Sequence, residues 1–279
     1  MKSSYYKYFA ALLLFGSNGI VASNINLPSY EIVLLRLLLG SLFLITVFTV
    51  SRQRFTFYRN KHTCLYLFIS ASAMGASWML LYEAYQQVGI SIASLAYYCG
   101  PVIVMILSPF LFRETLTWPK IAGFLTVLAG MCLVNLQALD EGKTIWGLFC
   151  GLMSAFMYAL MVTANKKAKP ESGLENSLLQ LVIGSFIVVA FVSMQKNFVL
   201  SLTTIDWIPV LLLGLLNTGI GCYLYFSSIT DLPVQTVAIC GYLEPLSAVV
   251  FSVLFLHEVL LPLQMLGAVL IPVSYTHLT

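Results

Sequence analysis

Three ionisable side chains stand where chemistry is expensive. Glu244 falls about halfway along the apolar run GYLEPLSAVVFSVLFLHE (241–258), with Pro245 beside it and Gly241, Cys240, Ser247 and Ala248 as its helical neighbours. Small neighbours leave room for a close helix or for a cavity, and Pro245 cannot bond the carbonyl of Gly241. Two readings stay open for Glu244. It is a site for a substrate amine or a proton, or it is a hydrogen-bonded carboxyl that satisfies freed backbone and orders its surroundings. Arg36 and Glu83 lie in two other apolar runs, each roughly 7–11 Å below one surface at 1.5 Å per residue. They are predicted to pair, as a structural tie or as an outer gate.

Aromatic and amide residues supply the remaining polar groups at depth. Tyr98 and Pro101 share a helix face with Ser94, Met105 and Ser108, and Tyr242 and Pro245 repeat that face. Pro101 and Pro245 are expected to kink their helices. Trp78, Tyr82, Tyr158, Asn217, Tyr223 and Asn18 add donors that must find partners, either across helices or in a ligand. Aromatic faces with a few polar groups suit a small zwitterion or aromatic metabolite. Glu31 and Glu175 open helices, and Ser172 with Glu175 reads as a capping box. Glu114 and Glu258 end their runs and are expected to cap the turns that follow. Gly147 and Gly151 form a GxxxG pair, read as a packing contact within the chain or between two chains.

The elements that position these residues follow from composition. Only 9% of the residues are charged and 59% are hydrophobic, against roughly 25% and 45–50% in soluble domains. Mean hydropathy is +0.91. A chain of 279 residues cannot hide that much apolar surface from water, so lipid must be its solvent. Spans of about 20 apolar residues are read near 5–23, 30–50, 64–86, 90–112, 118–137, 145–165, 174–194, 207–229, 233–256 and 260–275. Ten helices are therefore expected, in an all-α integral membrane protein. Eleven of the fourteen Lys and Arg residues fall in loops on one side (Lys2, Lys7, Arg52, Arg54, Arg59, Lys61, Arg113, Lys120, Lys166, Lys167, Lys169), against Lys143 and Lys196 on the other. By the positive-inside rule both termini are cytoplasmic in a bacterial inner membrane. Lys2 and Lys7 before an apolar run imitate a signal peptide, but the register of an internal repeat argues against cleavage.

That repeat appears on shifting the sequence by 144 positions without a gap. Glu31 then meets Glu175, Gly40 meets Gly184, Ser41 meets Ser185, Gly75 meets Gly219, Tyr98 meets Tyr242, Pro101 meets Pro245, Ser108 meets Ser252 and Glu114 meets Glu258. The halves, 1–138 and 145–279, each hold five expected helices, and an odd number inverts the second half. Inverted repeats point to alternating access around a midplane site.

LPSYEIVLLRLLLG, SIASLAYYCGPVIVMILSPFLFRETLTWPKIAGFLTVLAG and YLEPLSAVVFSVLFLHE resemble the EamA-type transporters of the drug/metabolite transporter superfamily. The resemblance implies export of small metabolites, often amino acids or their analogues, through a cavity between two five-helix halves. It also marks Glu114 and Glu258 as family hallmarks. Lipophilic drugs are the alternative cargo.

Other classes lack their residues. His62, His257 and His277 sit at or beyond span ends, which leaves no buried Ser/His or HExxH arrangement for an enzyme. Repeated filter loops and single-charge rings of channels are missing, as is a P-loop. The cysteines (Cys64, Cys99, Cys132, Cys150, Cys222, Cys240) are isolated, so no metal, cofactor or catalytic group is expected. The expected partners are a small-molecule substrate and the bilayer, with no nucleic acid, and the chain is a monomer or homodimer. Driving force comes from a proton or substrate gradient. At the C-terminus Pro272 enters where apolar helix is due, and PVSYTHLT reads as a truncated tenth helix or a foreign tail.

Overall fold

The computed structural model describes residues 2–115, 145–194 and 207–256, with isolated positions between 117 and 129. The described residues are helical and contain no strand. Helices α1 (Lys2–Gly16), α2 (Asn18–Ser23), α3 (Ser29–Val50), α4 (Lys61–Tyr97) and α5 (Gly100–Phe112) come first. Then follow α6 (Ile145–Ala168), α7 (Gly173–Ser193), α8 (Trp207–Leu211), a π-helical segment (Leu212–Ile220), α9 (Gly221–Ile229), α10 (Val234–Cys240) and α11 (Leu243–Leu256). Six stretches among them are long and apolar enough to cross a bilayer: 30–50, 61–88, 145–168, 173–193, 207–229 and 234–255. Most of the expected fifth span, the tenth span, the loop lysines 143 and 196, Glu258 and the PVSYTHLT tail lie outside the described residues.

The first expected span is broken at Ser17 into α1 and α2. Helical backbone is continuous through α4 to Tyr97, but the chain doubles back within it where the turn between the third and fourth spans is expected. A side-chain carbon on Gly151 would lie 2.8 Å from Ala96 and 3.8 Å from Ala84, residues that a straight helix would hold about 18 Å apart. In the second half Asp231, Leu232 and Pro233 separate α9 from α10, with Pro233 as N-cap. Both halves break about two turns after this point, at Tyr98–Cys99 just ahead of Pro101 and at Gly241–Tyr242 just ahead of Pro245.

Packing follows small residues. α4 lies on α6 and α7, and α3 lies on α7 and the π segment, while α1 is held between α9 and α11. A side-chain carbon on Gly75 would sit 2.9 Å from the Gly184 carbonyl, and one on Gly40 would sit 2.9 Å from Thr218 and 3.2 Å from the Gly214 carbonyl. Two contacts join residues 144 positions apart: the Ser41 and Ser185 hydroxyls at 3.0 Å, and the Tyr242 hydroxyl donating to the Tyr98 carbonyl at 2.7 Å. Gly151 packs on Ala93 and Ala96 of α4, a contact within the chain.

The carboxylates at helix ends act at longer range than expected. Ser172 accepts from the Glu175 N–H at 3.4 Å, but the Glu175 carboxylate does not close the capping box. It takes the N–H groups of Thr56 (2.6 Å) and Phe57 (2.9 Å) and the Thr56 hydroxyl (2.6 Å), tethering the loop before α4. Glu114, rather than capping its own turn, accepts from the first N–H groups of α10, Val234 at 2.8 Å and Gln235 at 3.0 Å. The positive helix end makes that the better partner.

Gly75→Val is expected to lose about 1–3 kcal/mol through overpacking at the α4–α7 contact, read as a lower midpoint in thermal unfolding of the detergent-solubilised protein. Gly19→Ala, with nothing within 4 Å of the added carbon, is expected to leave the midpoint unchanged. Equal midpoints for the two variants would refute the close crossing.

Candidate functional site

Arg36 is 6% exposed on α3, and its burial is organised by two neighbours. Its Nε donates to the Thr218 hydroxyl at 2.9 Å. Its guanidinium lies 4.6 Å from the centre of the Trp78 ring, a stacking worth about 2 kcal/mol when desolvated. Thr218 belongs to the π segment and donates its own proton to the Leu213 carbonyl, five residues back, at 2.8 Å. The wide turn thus supplies both the position of Thr218 and a lone pair for Arg36.

The predicted Arg36–Glu83 ion pair does not form. Glu83 accepts from Gln87 at 3.1 Å, one turn along α4, and Arg36 turns to Thr218 and Trp78 instead. Equal depth along two helices, and the joint loss of both charges at the matching Gln180 and Ser227, carry no information about which faces meet. Trp78 and Glu83 are five positions apart, which at 100° per residue puts them on different faces of α4.

Glu244 is the second charge. It is half-buried on α11, and among the described residues its carboxylate has no hydrogen-bond or ion-pair partner. Arg36 is the charged side chain whose field reaches it, and Tyr85, Tyr97, Tyr98 and Tyr158 lie within the field of Glu244. These tyrosines and Glu244 are each half-buried and belong to one connected cluster, in which the Ser94 hydroxyl lies 3.5 Å from that of Tyr85. The rings support one another. Tyr82 and Tyr85 are 5.2 Å apart edge to face, and Tyr97 and Tyr158 are 5.5 Å apart. The Tyr158 and Tyr225 hydroxyls are 3.3 Å apart.

The other expected residues divide. Trp78, Tyr82, Tyr98 and Tyr158 join this cluster, and Tyr242 abuts it through its bond to Tyr98. Asn217 and Asn18 meet at 3.0 Å. The Asn217 amide also donates to the Leu14 carbonyl and the Ser17 hydroxyl, both at 2.9 Å, so it holds the break between α1 and α2. Its partners are thus all protein groups, the interhelical alternative of the two left open for it. Tyr223 lies apart, beneath Lys7 at 5.9 Å from the ring centre. Pro101 and Pro245 are buried in the first turns of α5 and α11, as second and third residue, just after the breaks. Tyr85, Tyr97 and Thr218 were not legible as site residues. Tyr85 repeats Tyr82 at helical spacing, a usable signal, but nothing around Thr218 in sequence marks it.

The family model of the EamA-like transporter family matches residues 3–136 and again 145–278. The chain belongs to the EamA-like transporter family. Among EamA relatives, the uncharacterized transporter YxxF of Bacillus subtilis (strain 168) is 27% identical over 256 residues, which is 89% of this chain and 80% of that protein. The threonine/homoserine exporter RhtA of Escherichia coli (strain K12) is 27% identical over 234 residues, 84% of this chain and 76% of its own length. A solved crystal structure superposes with a TM-score of 0.83 over 99% of this chain and 97% of its own, at 16% identity. That likeness speaks for the fold.

In a double-mutant cycle read by unfolding in detergent, Arg36→Gln and Thr218→Val are expected to be coupled by about 0.5–3 kcal/mol. Arg36→Gln and Glu83→Gln are expected to add within about 0.5 kcal/mol. Coupling of Arg36 to Glu83 instead of to Thr218 would overturn the geometry described above.

Proposed function

We propose that the protein is a secondary carrier of the bacterial inner membrane that exports small metabolites, amino acids or related compounds, by alternating access. Its halves, 1–138 and 145–279, are five-helix inverted repeats, with both termini cytoplasmic. One observation carries the reading: two opposite charges, Arg36 and Glu244, stand in one tyrosine-rich cluster inside the apolar helices with no ion pair between them. Ionisable groups at that depth mark substrate or ion pathways. The repeat reading is supported by the double family match and by the contacts of Ser41 with Ser185 and Tyr98 with Tyr242. It is also supported by the way α4 on α6 and α7 is matched by α9 and the π segment on α1 and α3. The gathering of eleven Lys and Arg residues into alternate loops supports the topology. The likeness to a threonine/homoserine exporter supports amino-acid-like cargo. Lipophilic compounds would use the aromatic lining but would leave Arg36 without a partner.

The test is counterflow. Proteoliposomes holding the full chain are preloaded with unlabelled amino acids, and labelled uptake is compared between the unaltered protein and Glu244→Gln. Saturable counterflow that is lost in the variant is the expected result. Uptake that rises linearly with concentration, with no acceleration by internal substrate, would make the protein a passive pore. Lack of counterflow with every amino acid would remove the substrate class.

A further inference from the structure

Arg36 has more donors than the protein uses. Of its five N–H groups, Nε is committed to Thr218, and the guanidinium face is covered by Trp78. Among the described residues the terminal nitrogens have no acceptor, and they are not sealed off, since neither belongs to the buried atoms left without partners. A planar guanidinium fixed in this way presents two parallel N–H groups, the fork that binds a carboxylate in bidentate fashion. At the other end of the same cluster, two residues beyond the Tyr242 that bonds to Tyr98, Glu244 presents a carboxylate with no donor among the described residues. Arg36 and Glu244 make no ion pair with each other.

An unpaired buried charge is costly, and two that leave each other unpaired are costlier than a closed salt bridge. The sequence has not removed the cost by substitution, although the position matching Arg36 in the second half is the neutral Gln180 and that matching Glu244 is Gly100. We propose that Arg36 is the substrate-carboxylate site and Glu244 the substrate-ammonium site, so that the cargo is a zwitterion spanning the two. This rests on the carrier reading above and assigns to Arg36 a binding role in place of the outer-gate role. A cargo with both charges satisfies both side chains at once. An amine alone leaves Arg36 unpaired, an organic acid alone leaves Glu244 unpaired, and a lipophilic cation gains only half the site. Trp78 does two jobs: it holds the guanidinium flat, and it stands next to the bound carboxylate.

That adjacency supplies a readout separate from transport. The other tryptophans, Trp118, Trp146 and Trp207, are exposed on the bundle surface. Replacing them with Phe leaves Trp78 as the single emitter in the purified full chain. The twenty L-amino acids are titrated in detergent, followed by the methyl ester and the N-acetyl derivative of the one that binds best. The expected result is a saturable change in Trp78 emission with at least one amino acid, and affinity at least about tenfold weaker for both derivatives. Arg36→Gln is expected to erase the discrimination against the ester, and Glu244→Gln that against the N-acetyl compound. Arg36→Lys, which keeps the charge and loses the fork, should bind more weakly while still rejecting the ester. An ester or N-acetyl compound that binds the unaltered site as well as its parent overturns the assignment, and this comparison needs no charge variant to fold. Silence of Trp78 toward every amino acid also overturns it. Binding with the expected discrimination but without counterflow would leave the zwitterion site standing and remove the carrier reading instead.

Discussion

Hydrocarbon offers no hydrogen bonds, and most of this structure can be read as the consequence. Every polar group carried into the bundle must find its partner there. The chain meets that demand with short-range local bonds wherever it can. Ser108, Thr163, Ser185 and Ser228 return their hydroxyls to carbonyls of their own helices. Where local bonds are insufficient, networks cross between helices. Asn165 and Asn176 exchange amide bonds at 2.9 and 3.0 Å, and Ser70 reaches Gln180 at 3.1 Å, tying α4, α6 and α7 together in fully buried surroundings. Lys166 donates its ammonium to the carbonyls of Ile229, Thr230 and Leu232, at and just beyond the end of α9. Among the described residues Glu31 Oε2 and Ser72 Oγ are buried without a partner, and beside them two opposite charges left open in one tyrosine cluster are the reason to read that cluster as a binding site.

Much of the fold was legible because lipid simplifies the code. Apolar length and loop charge need no tertiary knowledge, and the spans at 30–50, 145–168, 173–193 and 207–229 fall within a few residues of the expected limits. The first span was misread where a few residues decide: GSNG at 16–19 broke it instead of only interrupting it. The π segment left no trace in the pattern of apolar residues, since widening one turn changes register without changing composition.

The site was legible as a list and not as a constellation. Glu244, Trp78 and the tyrosines stand out because polar and aromatic groups are rare among leucines. Which of them meet depends on helix rotation, and depth alone does not determine rotation. Arg36 was therefore assigned to the wrong neighbour, and Thr218 was overlooked because its importance comes from a backbone widening that only the folded chain possesses.

Asymmetry between the halves gives the site its sense. Gly100 occupies the position 144 residues before Glu244, and there a side-chain carbon would lie 2.7 Å from the Tyr158 ring, so the first half fills with an aromatic the space that the second half gives to a carboxylate. Gln180, matching Arg36, is absorbed by Ser70 and Asn176 in the buried amide network. Trp78 is matched by Cys222, whose carbonyl accepts from Ser177 at 3.3 Å. At each of these positions one half is closed with protein groups and the other leaves a charge, or the ring that supports it, in the tyrosine cluster. A scaffold built on a repeat would by default offer a ligand two equivalent sites. Closing one copy of each position leaves a single site with a positive and a negative end, and a site with two different ends can hold an asymmetric small molecule in only one orientation.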